Sequence, residues 1–163
     1  MLLNSNFKFH LVLIEPLIPP NTGNAGRLAV ATNSTLHLVG KLGFDINDKQ
    51  VRRAGLDYWK YVDLKTHDNF ENWLAWFEKN EPSAPFFLFD NMPHFKPNFF
   101  NQKIPNRSGL IFGKETTGIP KDILEKYKTS IATIPMFSDK VRSLNLSNTI
   151  SIALYEAIRQ QLT

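Results

Sequence analysis

Three short segments of the chain hold residue types that can bind and react with a small polar ligand. The first is Pro19-Pro20-Asn21-Thr22-Gly23-Asn24-Ala25-Gly26-Arg27, where small and amide side chains precede one cation. At a strand-to-helix turn, such a stretch offers the free N–H groups and positive dipole end of a helix start, which attract anions. Arg27 would stand one turn further in. The second is Ile111-Phe112-Gly113-Lys114-Glu115-Thr116-Thr117-Gly118-Ile119-Pro120, two glycines around a polar loop. Gly113 would let a ligand approach the backbone closely, and ligands of open α/β sheets bind outside the carboxyl ends of strands. The third runs from Ile134-Pro135-Met136 through Arg142-Ser143-Leu144-Asn145-Leu146-Ser147-Asn148. Asn145 and Ser147 can cap a helix there, or bond the hydroxyl and amino groups of a ligand. Read singly, each segment also fits a plain loop or cap.

The elements that must position these residues follow from hydropathy pattern. His10 to Ile14 is a continuous apolar run, the signature of a strand buried on both faces. Pro16, Pro19 and Pro20 then argue against regular structure, Thr22 or Asn24 supplies a cap, and a helix is predicted from about Ala25 to Asn33. Further strands are predicted at Leu36–Val39, Tyr61–Leu64, Phe86–Phe89, Ser108–Phe112 and Ser130–Ile134. Between them, Phe70, Trp73, Leu74 and Phe77 fall at helical spacing within Asn69–Lys79. A short helix is expected over Pro120–Tyr127, and a long final one over Leu146–Leu162. Alternating strands and helices predict an α/β fold with a largely parallel sheet, and one domain over residues 1–163.

Composition narrows the function classes. The 163-residue chain has no cysteine, which excludes disulfides and a thiol nucleophile. Its charge of +4 and pI near 9.3 suit a polyanionic partner without requiring one. No apolar run reaches the ~20 residues of a membrane span, and the short apolar N-terminal segment does not read as a secretory signal, so no membrane association and a cytoplasmic location are expected. His10, His37, His67 and His94 are scattered, none at metal-ligand spacing, so no metal is expected. The dinucleotide fingerprint, the P-loop and the G-x-S-x-G elbow are absent.

Taken together, the three segments resemble the three motifs of the SpoU-TrmD (SPOUT) RNA methyltransferases: N-x-G-N-x-x-R, F-G-x-E-x-x-G-[IL]-P, and I-P-M followed by R-S-L-N-L-S-N and Y-E-x-x-R-Q. The resemblance covers residues 9 to 161. The opening E-P-x-I-P-P-N-T-G-N, the stretch Arg52-Arg53-Ala54-Gly55-Leu56-Asp57-Tyr58 and the lack of added domains are similar to the small TrmL (YibK-like) branch. The resemblance implies S-adenosyl-L-methionine as cofactor and 2′-O-methylation of the wobble nucleotide, cytidine or modified uridine, in the anticodon stem-loop of leucine tRNAs. It also implies a homodimer and a parallel-sheet, Rossmann-like α/β knot with a deep C-terminal trefoil. Ordinary topology rules argue against a knot, so only the resemblance supplies it.

Carried over by position, the resemblance puts Gly113, Ile134, Ser143 and Phe89 around the cofactor. Glu115 and Asn145 shape the same site, and Arg27, Arg142 and Tyr155 are placed at the reaction, Arg27 in the site of the partner copy. The stretch Pro135–Arg142 is one residue longer than the family pattern, and Lys114 stands where that pattern varies. A guanidinium holds its proton tightly, so Arg27 is expected to bind phosphate and stabilise charge on the attacking oxygen rather than act as the base. Lys49, Arg52 and Arg53 fit RNA phosphates or a solvated loop equally. For Phe86, Phe87, Phe89, Phe95, Phe99 and Phe100, packing in a core or dimer is favoured over base stacking. The same chemistry on another RNA, such as rRNA, and a non-catalytic RNA-binding module are the competing readings.

Overall fold

The computed structural model describes residues 6–46, 58–91 and 97–162. Its centre is a six-stranded, all-parallel sheet made of β1 (His10–Ile14), β2 (Thr35–Val39), β3 (Asp63–His67), β4 (Phe86–Phe89), β5 (Gly109–Phe112) and β6 (Ile131–Ala132). The strand order is β3-β2-β1-β5-β4-β6, with β1 paired to β2 on one side and to β5 on the other. The near-continuous apolar strands of the sequence are buried on both faces, as a parallel sheet covered by helices requires.

Alternation along the strands divides the core in two. Leu11, Leu13, Leu36, Leu38, Leu110 and Phe112 face α1 (Pro19–Ala31) and the last helix, α4 (Leu146–Leu162), which pack against each other. Val12, Ile14, Val39, Leu88 and Ile111 face α2 (Phe70–Asn80) and the short α3 (Lys121–Lys126). On α2, Phe70, Trp73 and Phe77 are buried and Asn69 caps the start by accepting from Asn72 N at 2.8 Å. Trp73 is a core residue and Trp76 its half-exposed neighbour, as their helical positions predict.

Three elements differ from the expectation. The first helix begins at Pro19, not near Ala25, so Asn21 to Asn24 are helical rather than a turn and neither Thr22 nor Asn24 is the cap. Proline interrupts a helix only beyond its first turn. At the first two positions its missing N–H is one the helix could not bond anyway, and its φ is already helical. The third strand begins two residues later than expected, at Asp63, because Trp59–Tyr61 wind into a 3-10 turn. β6 is only two residues long, since Thr133 bonds the segment before β5 instead: its N–H donates to Pro97 O at 2.8 Å and Phe99 N donates to Thr133 O at 3.0 Å. Lys49, Arg52, Arg53, His94 and Phe95 lie outside the described residues.

Candidate active site

The loops leaving the carboxyl ends of β4, β5 and β6 converge with the first turn of α1 and the start of α4 on a cavity of about 600 Å³. Phe89, Gly113, Glu115, Ile134, Arg142, Ser143 and Asn145 all line it. Seven sequence candidates from separate segments therefore meet around one opening.

Glu115 is the keystone of the polar framework. Its carboxylate accepts from Leu17 N (2.8 Å), Ile18 N (3.1 Å) and Asn21 Nδ2 (3.1 Å). The sequence suggested that a helix start here would hold a ligand's anion. The prolines remove two N–H donors, Asn21 N turns back to Ile18 O at 3.0 Å, and the anion beside the helix start is the protein's own. Asn21 Oδ1 in turn accepts from Asn145 Nδ2 at 3.3 Å. Asn145 Oδ1 accepts the N–H (2.9 Å) and hydroxyl (2.7 Å) of Ser147, capping α4. One hydrogen-bonded chain, Glu115–Asn21–Asn145, thus ties the three sequence segments together.

The β5 loop closes on itself. Lys114 N donates to Gly118 O (3.1 Å) and Gly118 N to Lys114 O (2.8 Å), with Gly118 at φ +72°. A Cβ on Gly113 would stand 2.0 Å from the Gly118 carbonyl carbon. The close backbone approach that this glycine permits is made first by its own loop. Lys114 is engaged with Glu15 at 2.6 Å. Phe89 is nearly buried, stacked on Phe112 with centroids 4.9 Å apart and edge-on to Phe99 at 4.6 Å. Asn91 Nδ2 holds the third segment by donating to Arg142 O at 3.0 Å, while the Arg142 side chain is exposed at the rim.

Arg27 and Tyr155 do not join this cavity within one chain. Both are exposed, one on α1 and the other on α4. The Arg27 guanidinium lies over the Tyr58 ring, 4.8 Å from its centroid, and the Tyr58 hydroxyl donates to Gly23 O at 2.6 Å. Gly26 makes this docking possible, because a Cβ there would be 2.5 Å from the Trp59 ring. Sequence reading missed this role of Tyr58. It also passed over Asp90, although a polar side chain at that edge of a parallel sheet is itself a signal.

The structure also gathers three histidines that look scattered in sequence. His10 Nδ1 is 2.9 Å from His37 Nε2, and His37 Nδ1 is 3.0 Å from His67 Nε2. At the inner end His10 Nε2 meets Glu81 Oε1 at 3.1 Å, and Arg107 bonds both Glu81 oxygens at 2.9 and 3.2 Å. The rings run head to tail across β1, β2 and β3 rather than converging on a centre, and among the described residues no metal-sized group of ligands is found. With Glu81 as acceptor, one tautomer satisfies the row: each Nε2 carries the proton and each Nδ1 of His10 and His37 accepts. Burial pushes His37 down to about 2, with His10, His67 and Lys65 adding to the effect. Burial also lowers His10, against the opposing pull of Glu81. The His10–Glu81 contact is therefore a neutral imidazole N–H on a carboxylate.

Fold and site define a parallel α/β protein with a cofactor-sized cavity at the carboxyl edge of its sheet. Residues 8–155 match the SpoU rRNA Methylase family, and the chain belongs to it. It is 44% identical over 154 residues to a Bacillus subtilis (strain 168) protein named "Putative tRNA (cytidine(34)-2'-O)-methyltransferase", covering 93% of this chain and 92% of that one. A Polaromonas sp. protein named "tRNA (cytidine(34)-2'-O)-methyltransferase" is 40% identical, with 93% and 90% covered. Among solved structures, one described as "Structural insights into the 2-OH methylation of C/U34 on tRNA" superposes with a TM-score of 0.88 at 37% identity, covering 97% of this chain and 99% of the other.

Proposed function

We propose that this chain is a tRNA ribose 2′-O-methyltransferase that uses S-adenosylmethionine and modifies the wobble nucleotide, cytidine or modified uridine, of leucine tRNAs. The observation that carries the reading is the meeting of all three motif segments at one cavity, bound by the Glu115–Asn21–Asn145 chain. The cavity fits the cofactor: about 600 Å³ lies within the usual range of roughly 300–1,000 Å³ for such sites. Its wall combines the apolar Phe89 and Ile134 with the polar Ser143 and the backbone of the Gly113 loop. When bound, the cofactor supplies a methyl carbon activated by the adjacent sulfonium.

The chain's own residues then have to align the ribose hydroxyl and favour charge on its oxygen. Alignment can contribute several kcal/mol, up to roughly 7–11 in ideal cases. Arg142 at the rim holds the RNA side. Arg27 holds a phosphate and stabilises the developing negative charge, with its guanidinium oriented by Tyr58. Since Arg27 and Tyr155 lie outside the cavity of their own chain, we assign them to the cavity of a second copy, in a homodimer formed through α1 and α4. Exposed Ile18 and Leu144, both at the cavity mouth, support such a face. The single SPOUT domain over residues 1–163, the C-terminal knot, the binding of the anticodon stem-loop with help from Arg52 and Arg53, and a cytoplasmic location belong to the same reading. Among the described residues no helix is long and apolar enough to cross a membrane.

Ribose-methylation mapping of total tRNA, with and without the gene, tests the proposal. Loss of wobble methylation in leucine tRNAs is expected. Methylation lost instead from rRNA would favour the alternative that the family description itself suggests. A folded protein that does not bind S-adenosylmethionine in calorimetry would leave only an RNA-binding module.

A further inference from the structure

Two carboxylates line the cavity among the described residues, and they are not equivalent. Glu115 is occupied by three N–H donors from α1 and the residues before it. Asp90, just past the end of β4, has more to give. Its Oδ2 accepts from Ile119 N at a long 3.3 Å, and the neighbouring Asn91 N–H is its other backbone donor. A carboxylate offers about four acceptor positions, so about two are left. Among the described residues no Lys, Arg or His pairs with Asp90. Burial raises its pKa, against the opposing pull of the Ile119 and Asn91 N–H groups. The surroundings keep it in place: a Cβ on Gly118 would lie 2.8 Å from Oδ2, and Thr133 Oγ1 donates to Asp90 O at 3.0 Å.

We propose that Asp90 is a cofactor-binding residue whose carboxylate accepts hydrogen bonds from the vicinal hydroxyls of the cofactor's ribose. The inference rests on the reading of the cavity as an S-adenosylmethionine site. Two adjacent hydroxyls match the two acceptor positions that the described residues leave open on one carboxylate. An acidic residue near the carboxyl edge of a parallel sheet takes a ribose hydroxyl in the same way in dinucleotide-binding folds. The neutral alternatives on this wall, backbone carbonyls and Asn91, would bond the diol less strongly than a charged acceptor.

Calorimetry with three ligands separates the possible contacts. S-adenosylmethionine carries ribose, ammonium and sulfonium; S-adenosylhomocysteine lacks the sulfonium; 5′-methylthioadenosine keeps the ribose and lacks the amino acid. Asp90→Asn retains an oxygen for Ile119 N and should melt close to the wild type. It is expected to weaken all three ligands by a similar factor, about tenfold or more. Loss confined to S-adenosylmethionine, or loss that spares 5′-methylthioadenosine, would overturn the assignment in favour of the sulfonium or the ammonium. Unchanged affinity would reduce Asp90 to a brace for the Gly118 turn. A measurement on wild-type protein covers a variant that folds poorly: the 2′-deoxy and 3′-deoxy forms of 5′-methylthioadenosine should each bind more weakly than the parent, and equal binding refutes the proposal. Wild-type protein that binds none of the ribosides overturns the cofactor reading together with this one, an outcome distinct from tight wild-type binding that Asp90→Asn leaves untouched.

Discussion

Arg27 lies outside the cavity of its own chain, and its side chain is nonetheless held in a defined place. The guanidinium rests on Tyr58, whose hydroxyl is anchored to the backbone of the same helix one turn earlier. Such stacking is worth about 0.5–1 kcal/mol at an exposed site, enough to favour one orientation. Arg27→Lys keeps the charge and loses the planar fork, so kcat should fall by about tenfold or more while the pH–rate profile keeps its shape. A wild-type ionisation that vanishes in this variant, with phosphate affinity intact, would instead make the arginine the base. His37 carries a different prediction. Its folded pKa is lowered from 6.5 to about 2, so below pH 6.5 the unfolded chain binds a proton that the folded chain refuses. The stability is fully present above that pH and declines as pH falls, by up to about 1.4 kcal/mol per unit for this one group. Urea unfolding between pH 7 and 5 should show the decline, and His37→Gln should make it shallower.

At the scale of elements, what the sequence shows depends on whether the controlling contact is local. β1, β4 and α4 are legible to the residue, because each is a long apolar run or stripe bounded by clear stops. The start of α1 is not, since two prolines that break a helix interior are benign in its first turn, and the carboxylate beside it comes from Glu115, far along the chain. The candidate cofactor residues were legible as motif positions, and the cavity lining brings them together. Their division of labour was hidden, because it lies in hydrogen bonds between segments: Glu115 and Asn145 spend their polar atoms on helix starts, and Asp90 does not. Gly113 illustrates the difference. The sequence assigns it to ligand approach, whereas the tightest contact is with Gly118. Gly113→Ala should therefore destabilise the apo protein by about 2–3 kcal/mol, seen as a melting temperature lower by roughly 5–10 °C. An apo melting curve like the wild type's, with cofactor affinity alone reduced, would restore the ligand-only explanation.

For the whole molecule, the placement of Arg27 and Tyr155 outside the cavity of their own chain makes the dimer proposal testable by complementation. Arg27→Ala and a Ser143 variant that abolishes cofactor binding should each be inactive alone. If Arg27 serves the other copy, a mixed dimer has one complete site, and subunit exchange at equal amounts should restore about a quarter of wild-type activity. No recovery in verified mixed dimers would return Arg27 to its own chain. The trefoil knot that the resemblance implies belongs to this scale too. Local patterning says nothing about threading, and general topology rules disfavour it.

The hydrogen bonds of Glu115 reach further than the site they frame. They bolt the loop under the cavity to the start of α1, and α1 carries Arg27 on its outer surface. If two copies associate through that surface, cavity and contact face share one rigid lever. Thermodynamic reciprocity then fixes a relation between two otherwise separate measurements: whatever factor the cofactor adds to self-association, self-association must add to cofactor affinity. Where that factor exceeds one, dilution acts as a competitive ligand does, loosening the cofactor's grip without touching a single residue of its wall.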